Sequence, residues 1–124
     1  MTEKFEYSFN NSLGILFKTY YGPITINDIE SSWEYAFEKG LIPKEKKGFI
    51  LDYRKSNFNI KIKEHNSIVN FYKKHIDIFG NYKIAIITEK PKDIVIPMLV
   101  EYQDNGYSSK PFSTVEAAII WILN

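Results

Sequence analysis

Apolar and polar positions alternate near the start of the chain. Phe5, Tyr7 and Phe9 are separated by polar residues, which is typical of a half-buried strand. Residues 10–12 have turn-forming side chains, and residues 14–21 return to a largely apolar pattern. The first two strands are therefore predicted to form an antiparallel hairpin.

Four later segments have apolar residues at helical spacing. In chain order the predicted stripes are Ile26, Ile29, Trp33 and Phe37; Ile68, Tyr72, Ile76 and Phe79; Ile94, Val95, Met98, Leu99 and Tyr102; and Val115, Ala118, Ile119, Ile122 and Leu123. Thr25 with Asp28, and Ser113 with Glu116, are spaced as capping boxes for the first and last of these helices. Pro97 lies inside the third stripe and is predicted to kink or restart that helix.

Three further strands are predicted between the helices. Residues 48–53 and 82–88 are nearly continuous apolar runs, as expected of parallel strands that are buried on both faces. Residues 107–112 form a last short strand in which Pro111 indicates a sheet edge or a strand end. The order β-β-α-β-α-β-α-β-α predicts one α/β domain over residues 1–124, with a mixed, mostly parallel five-stranded sheet that begins with the antiparallel hairpin.

Composition excludes several classes of function. The 124 residues include no cysteine, which rules out disulfides and thiolate metal sites, and 16 basic against 15 acidic residues give no field that would attract nucleic acid. No apolar run is long enough to be an integral membrane segment and no leader is visible, so we expect a cytoplasmic protein. His65 and His75, ten residues apart on one predicted helix, cannot share a metal ion, and the scattered glycines form no phosphate-binding loop. We therefore expect no metal and no cofactor.

The candidate binding residues follow the central strand, and they are Asp52, Arg54, Ser56 and Asn57. Ligands of open α/β sheets bind beyond the carboxyl ends of the strands, and the N-terminus of the following helix would add N–H groups that suit an anion. Arg54 is the only arginine of the chain, so guanidinium chemistry is confined to this segment. A contact with phosphate, carboxylate or a partner protein is one interpretation, and a solvated loop with one salt bridge is the other. Asp52, Ser56 and His65 lack the motif of a catalytic triad, so the chain is not predicted to be an enzyme.

The order of elements resembles that of the STAS domains, the SpoIIAA-like superfamily. The stretches that carry the resemblance are residues 22–25, 48–52, 83–88 and 112–122, the last with a Phe, a helix cap, Glu-Ala-Ala and a Trp followed by aliphatic residues. The resemblance implies a SpoIIAA-like fold and a regulatory module that binds another protein. Ser56 lies roughly where anti-sigma-factor antagonists of this family have a phosphorylated serine, but the flanking Asp-Ser and the Gly of their motif are missing. This departure weakens the expectation of a dedicated kinase.

A small carrier of a lipid or other apolar molecule is the alternative function. Its ligand would lie between helices. It would contact the aromatic residues that are not clearly assigned to the core, which are Tyr20, Tyr21, Tyr35, Tyr53 and Tyr107. Three observations separate the two functions. An enclosed cavity between the second and third helices favours the carrier, an exposed aromatic patch near Tyr53 and Phe58 favours the binding module, and a buried Ser56 argues against a switch at that residue.

Overall fold

A computed structural model describes residues 4–124 of the chain. In chain order its elements are β1 Phe5–Asn10, β2 Ile15–Tyr20, β3 Gly22–Ile24, α1 Ile26–Lys39, β4 Gly48–Asp52, β5 Ser56–Phe58, a 3₁₀ turn Ile62–Glu64, α2 His65–Lys74, α3 Ile76–Phe79, β6 Lys83–Ile87, α4 Pro91–Tyr102, β7 Ser108–Phe112 and α5 Val115–Leu123. The predicted order of elements is confirmed, with two short strands and one short helix added to it.

The main sheet has five strands in the order β1-β2-β4-β6-β7. β1 and β2 pair antiparallel and the other neighbours pair parallel, so the predicted mixed sheet with its hairpin is confirmed. β7 lies at an edge of the sheet, as Pro111 predicts. Proline is tolerated there because it has no backbone N–H to donate to a neighbouring strand.

A second, two-stranded sheet was not predicted. β3 and β5 pair in parallel, with Gly22 opposite Ser56 and Ile24 opposite Phe58. The residues after the central strand, a solvated loop under one of the two interpretations, therefore include a paired strand at Ser56–Phe58. Strands of three residues are too short to show a hydrophobic period. The polar side chains around β5 are also typical of a loop, so the sequence does not indicate that its backbone is paired.

Two apolar layers cover the two faces of the main sheet. One layer joins α1, α2 and α4 to the sheet and centres on Trp33, which is fully buried and meets the rings of Phe49 and Phe79 edge-on. The other lies under α5, where Ala118 and Ile122 pack on residues of β2, β4 and β6. The helices that follow β3, β5 and β6 therefore share one side of the sheet.

The helix ends mostly follow the predicted signals. Thr25 and Asp28 form the expected capping box, with Asp28 N donating to Thr25 Oγ1 over 3.2 Å and Thr25 N donating to Asp28 Oδ2 over 2.9 Å. The cap of α5 is Thr114 and not Ser113, because the chain is extended at Thr114 and Oγ1 accepts from Ala117 N over 3.2 Å. α4 continues through Pro97 as one helix, so the predicted restart does not occur. His75 ends α2, so the single helix predicted there is two.

Candidate functional site

The segment Asp52–Asn57 leaves the carboxyl end of β4 and is held by backbone hydrogen bonds. Tyr53 N donates to Ile87 O over 2.8 Å, and Ser56 N donates to Tyr53 O over 3.0 Å. Gly22 N donates to Lys55 O over 3.1 Å, which starts the ladder between β3 and β5. The segment is therefore part of the folded framework and not a solvated loop.

Asp52 and Arg54 form a closed ion pair at the start of this segment. Asp52 Oδ1 accepts from the backbone N and from Nε of Arg54, both over 3.0 Å, and Oδ2 accepts from Nη2 over 2.7 Å. Burial alone would raise the pKa of the Asp52 carboxyl, but these hydrogen bonds outweigh it and lower that pKa. The same hydrogen bonds raise the pKa of Arg54, whose side chain stays 39% exposed. The one salt bridge expected under the solvated-loop interpretation is therefore present, and it fixes the orientation of the Arg54 guanidinium.

Ser56 lies inside the framework. It is 2% exposed, and Oγ donates to Tyr53 O over 3.1 Å. Its carbonyl oxygen accepts from Lys90 Nζ over 2.5 Å, which ties β5 to the residue before α4. A kinase could not reach this hydroxyl without opening the ladder between β3 and β5, so the burial argues against a switch at Ser56. Asn57 is half-buried beside it.

The helical N–H groups expected beside this segment lie further along the chain. The 3₁₀ turn begins at Ile62, and Lys61 N donates to Glu64 Oε1 over 2.7 Å. The chain itself thus supplies an anion at this helix start. The predicted contribution of the following helix to an anion site next to Arg54 is not seen.

Asp52, Ser56 and His65, which lack the motif of a catalytic triad, each have another partner. Asp52 pairs with Arg54, and Ser56 donates to Tyr53 O. His65 Nδ1 lies 2.8 Å from Ile62 O, while its Nε2 lies 2.8 Å from Gln103 Nε2 at the end of α4. The structure does not bring the three side chains together.

The cavity between α2 and α4 is small. Its volume is about 20 Å³, and it is lined by Tyr53, Phe58, Tyr72 and aliphatic residues of β6 and the surrounding helices. That volume holds about one water molecule, whereas pockets for drug-sized ligands measure roughly 300 Å³ or more. Tyr20, Tyr53 and Tyr107 pack in the core, so the apolar-carrier function is not favoured. The exposed aromatic patch near Tyr53 and Phe58 that would have favoured the binding module is not there either, since Tyr53 is buried and Phe58 is partly buried against the core.

One exposed apolar surface lies on the outer face of α4. Val95, Met98 and Tyr102 are 37%, 54% and 90% exposed and recur on one face of the helix. The predicted stripe placed these residues in the core, and that placement is wrong. α4 is apolar on almost every side between Ile94 and Val100, so the period could not decide which face is buried.

A buried lysine was missed by the sequence analysis. Lys18 is fully buried, and its Nζ donates to Ser32 Oγ over 2.5 Å. Four rings surround Nζ, with centroids at 3.9 Å for Trp33, 4.6 Å for Tyr20, 5.0 Å for Tyr7 and 5.7 Å for Phe5. The sequence does contain a signal, because Lys18 lies between Leu16 and Tyr20 on the inward face of β2.

Comparison with solved structures identifies the architecture. The chain aligns over 98% of its length, and over 98% of the other chain, with an uncharacterized DUF3478-family protein from Shewanella loihica PV-4 that has a SpoIIAA-like fold; the TM-score is 0.65 and the identity 16%. The chain has the SpoIIAA-like fold. It also aligns with unphosphorylated SpoIIAA, an anti-sigma factor antagonist, over 97% of this chain and 98% of the other, with a TM-score of 0.52 and 11% identity. The predicted fold is thus confirmed.

Other comparisons add no relative. No protein-family model and no curated protein matches the chain. Within residues 4–124, no helix has the length and apolar character needed to cross a membrane, and no group of three or more His, Asp or Glu side chains is placed to hold a metal ion.

Proposed function

We propose that the chain is a non-enzymatic, cytoplasmic binding module of STAS type that acts by contacting another protein. The observation that carries the proposal is the apolar outer face of α4, which has Val95, Met98 and Tyr102 in solvent. Exposed apolar side chains grouped on one face of a helix are typical of protein interfaces. The SpoIIAA-like fold supports the same function, because the aligned SpoIIAA is an anti-sigma factor antagonist.

The contact surface comprises the outer face of α4 and the segment Asp52–Asn57. The two are joined where Lys90, the residue before α4, donates to Ser56 O. Asp52 orients Arg54, and the exposed guanidinium and the side chain of Asn57 would make the polar contacts. Ser56 supports this surface from below. A partner that fits presents apolar side chains to α4 and a carboxylate to Arg54.

Site-specific photo-crosslinking in cells of the organism whose genome encodes the protein tests the proposal. A photoreactive residue is placed at Asn57, at Met98 and, as a control on the exposed C-terminal turn of α1, at Glu38. We expect positions 57 and 98 to capture the same protein and position 38 not to capture it. A Met98→Asp change should reduce the adduct formed at position 57, since both positions would belong to one interface.

Two results would contradict the proposal. One is the absence of any adduct at positions 57 and 98 above the level at position 38. The other is capture of unrelated proteins at 57 and 98, with no effect of Met98→Asp on either.

A further inference from the structure

Lys18 is a buried amine with no anionic partner. Within residues 4–124 the carboxylate–ammonium pair that the structure contains joins Asp28 to Lys4, and no carboxylate lies within ion-pair distance of Lys18 Nζ. The polar neighbour of Nζ is the Ser32 hydroxyl, which itself donates to Ile29 O over 2.8 Å. Burying an ammonium without a counter-charge is unfavourable, so the ionised state of Lys18 is poorly supported here.

The other titratable groups around Lys18 do not supply that charge. β1 contributes Tyr7, whose hydroxyl donates to Ser32 O over 2.6 Å, and β2 contributes Tyr20. Tyr53, from the segment after β4, stacks on Tyr20. Burial raises the pKa of all three hydroxyls, so they are neutral near neutral pH. Asp28 of α1, whose charge acts on the neighbouring Tyr20, already accepts from Thr25 N and Lys4 Nζ.

The aromatic rings only partly compensate. A cation over a ring face is attracted within about 6 Å of the centroid. Trp33 and Tyr20, at 3.9 and 4.6 Å, lie well inside that range, while Tyr7 and Phe5, at 5.0 and 5.7 Å, lie toward its limit. These contacts offset part of the cost of burying the charge, but a ring face carries no net negative charge and is not a counter-ion. The desolvation cost, by contrast, applies to the whole ammonium group. Burial accordingly lowers the pKa of Lys18 well below its usual value.

We propose that Lys18 is a proton-sensitive latch, a neutral amine in the packed state whose protonation loosens β1 and α1 from β2. The amine lies where these three elements meet, because its ring neighbours come from β1, β2 and α1. β1 is an edge strand and α1 packs on it through the contact between Tyr7 and Trp33, so both can move without breaking the centre of the sheet. The latch does not depend on the proposed protein contact.

The loosening has a route to the segment after β4. Tyr20 touches Lys18 Nζ on one side and stacks on Tyr53 on the other, with centroids 4.3 Å apart and planes 8° apart. Tyr53 O in turn accepts from Ser56 N and Ser56 Oγ. Protonation of Lys18 would therefore disturb the support of residues 53–56 as well as that of β1.

Urea unfolding of the wild type and of Lys18→Met at several pH values tests the state of the amine. The folded-state pKa is lowered, so between it and the unfolded value of about 10.4 the unfolded chain binds more protons, and stability rises with pH. Relative to Lys18→Met, the wild-type unfolding constant should therefore fall by up to tenfold per pH unit through this window. Lys63→Met, which removes an exposed ammonium, is the control and should show a constant ratio.

A ratio for Lys18→Met that stays constant with pH would show that Lys18 remains an ammonium, and would overturn the proposal. If Lys18→Met does not fold, the Cε resonance of Lys18 in the wild type replaces it. A titration midpoint below that of the exposed lysines supports the neutral amine, and an equal midpoint overturns it.

Hydrogen exchange tests the movement itself. As the pH is lowered, and after correction for intrinsic rates, β1 and α1 should lose protection faster than β6 in the wild type but not in Lys18→Met. Equal changes in β1, α1 and β6 would overturn the latch even where the amine proves neutral.

Discussion

Replacing Gly48 by alanine should test the packing of α5 against the main sheet. A Cβ atom at Gly48 would lie 2.7 Å from the carbonyl oxygen of Lys83 on β6 and 2.8 Å from Cγ2 of Ile122 on α5. Both distances are shorter than real Cβ contacts, and the first is with backbone that the ladder between β4 and β6 holds in place. The extra methyl group therefore has to push the strands apart and displace the helix.

The expected cost follows from these two overlaps. Overpacking a core by one methylene typically costs about 1–3 kcal/mol, and the backbone contact puts Gly48→Ala near 3 kcal/mol. Ile122→Ala alone should cost about 2–5 kcal/mol, because it removes a buried side chain. It also removes the atom that meets the new Cβ, so the double variant should be about 1 kcal/mol more stable than the sum of the single changes predicts.

Urea unfolding followed by circular dichroism measures the four free energies of unfolding. Ser8→Ala, an exposed change on β1, is the control and should stay within about 0.5 kcal/mol of the wild type. A similarly small cost for Gly48→Ala would refute the reasoning. So would strict additivity of the Gly48 and Ile122 changes, because it would mean that α5 does not lie over β4 at this distance.

Four further outcomes are expected. Arg54→Ala should keep the fold and cost less than about 1 kcal/mol in urea unfolding, since the pair with Asp52 is partly exposed. The pKa of Asp52 is lowered, so the stability difference between wild type and Asp52→Asn should be present above about pH 4 and disappear as the pH falls through the folded-state pKa, which a pH series of melts would show. Thr114→Ala should cost about 1 kcal/mol and Ser113→Ala almost nothing, which thermal unfolding distinguishes. Native mass spectrometry should show no co-purified lipid, given the 20 Å³ cavity.

The main sheet could be predicted from the sequence because its strands have regular signals. The alternation at Phe5, Tyr7 and Phe9 and the short apolar runs at 48–53 and 82–88 correspond to β1, β4 and β6. The outer face of α4 could not be predicted, because a helix that is apolar on every side has no preferred buried face. Whether Val95 or Ile96 faces the core depends on where α2 and β7 lie, which the local pattern does not contain.

Lys18 shows a different kind of miss. The alternation that predicts β2 also places Lys18 on the same face as Leu16 and Tyr20, so its burial follows from the register. Because lysine is rarely buried, Lys18 is expected in solvent, although the period-2 pattern of β2 places it on the buried face. The aromatic rings around it come from residues far apart in the chain, and only the fold brings Phe5 and Trp33 to the same amine.

The position of the candidate segment followed from the sequence, but the environment of Ser56 did not. The hydroxyl donates to Tyr53 O, and the neighbouring carbonyl is held by Lys90. Phosphorylation of Ser56 would replace the hydroxyl that donates to the Tyr53 carbonyl oxygen with a phosphoryl group. Its charge of roughly −2 would then lie against that oxygen. Repulsion and the lack of space would then separate β5 from β3. Phosphorylation of Ser56 would therefore unfold the segment that contains Arg54. A phosphate on an exposed loop, by contrast, could bind to Arg54 without unfolding that segment.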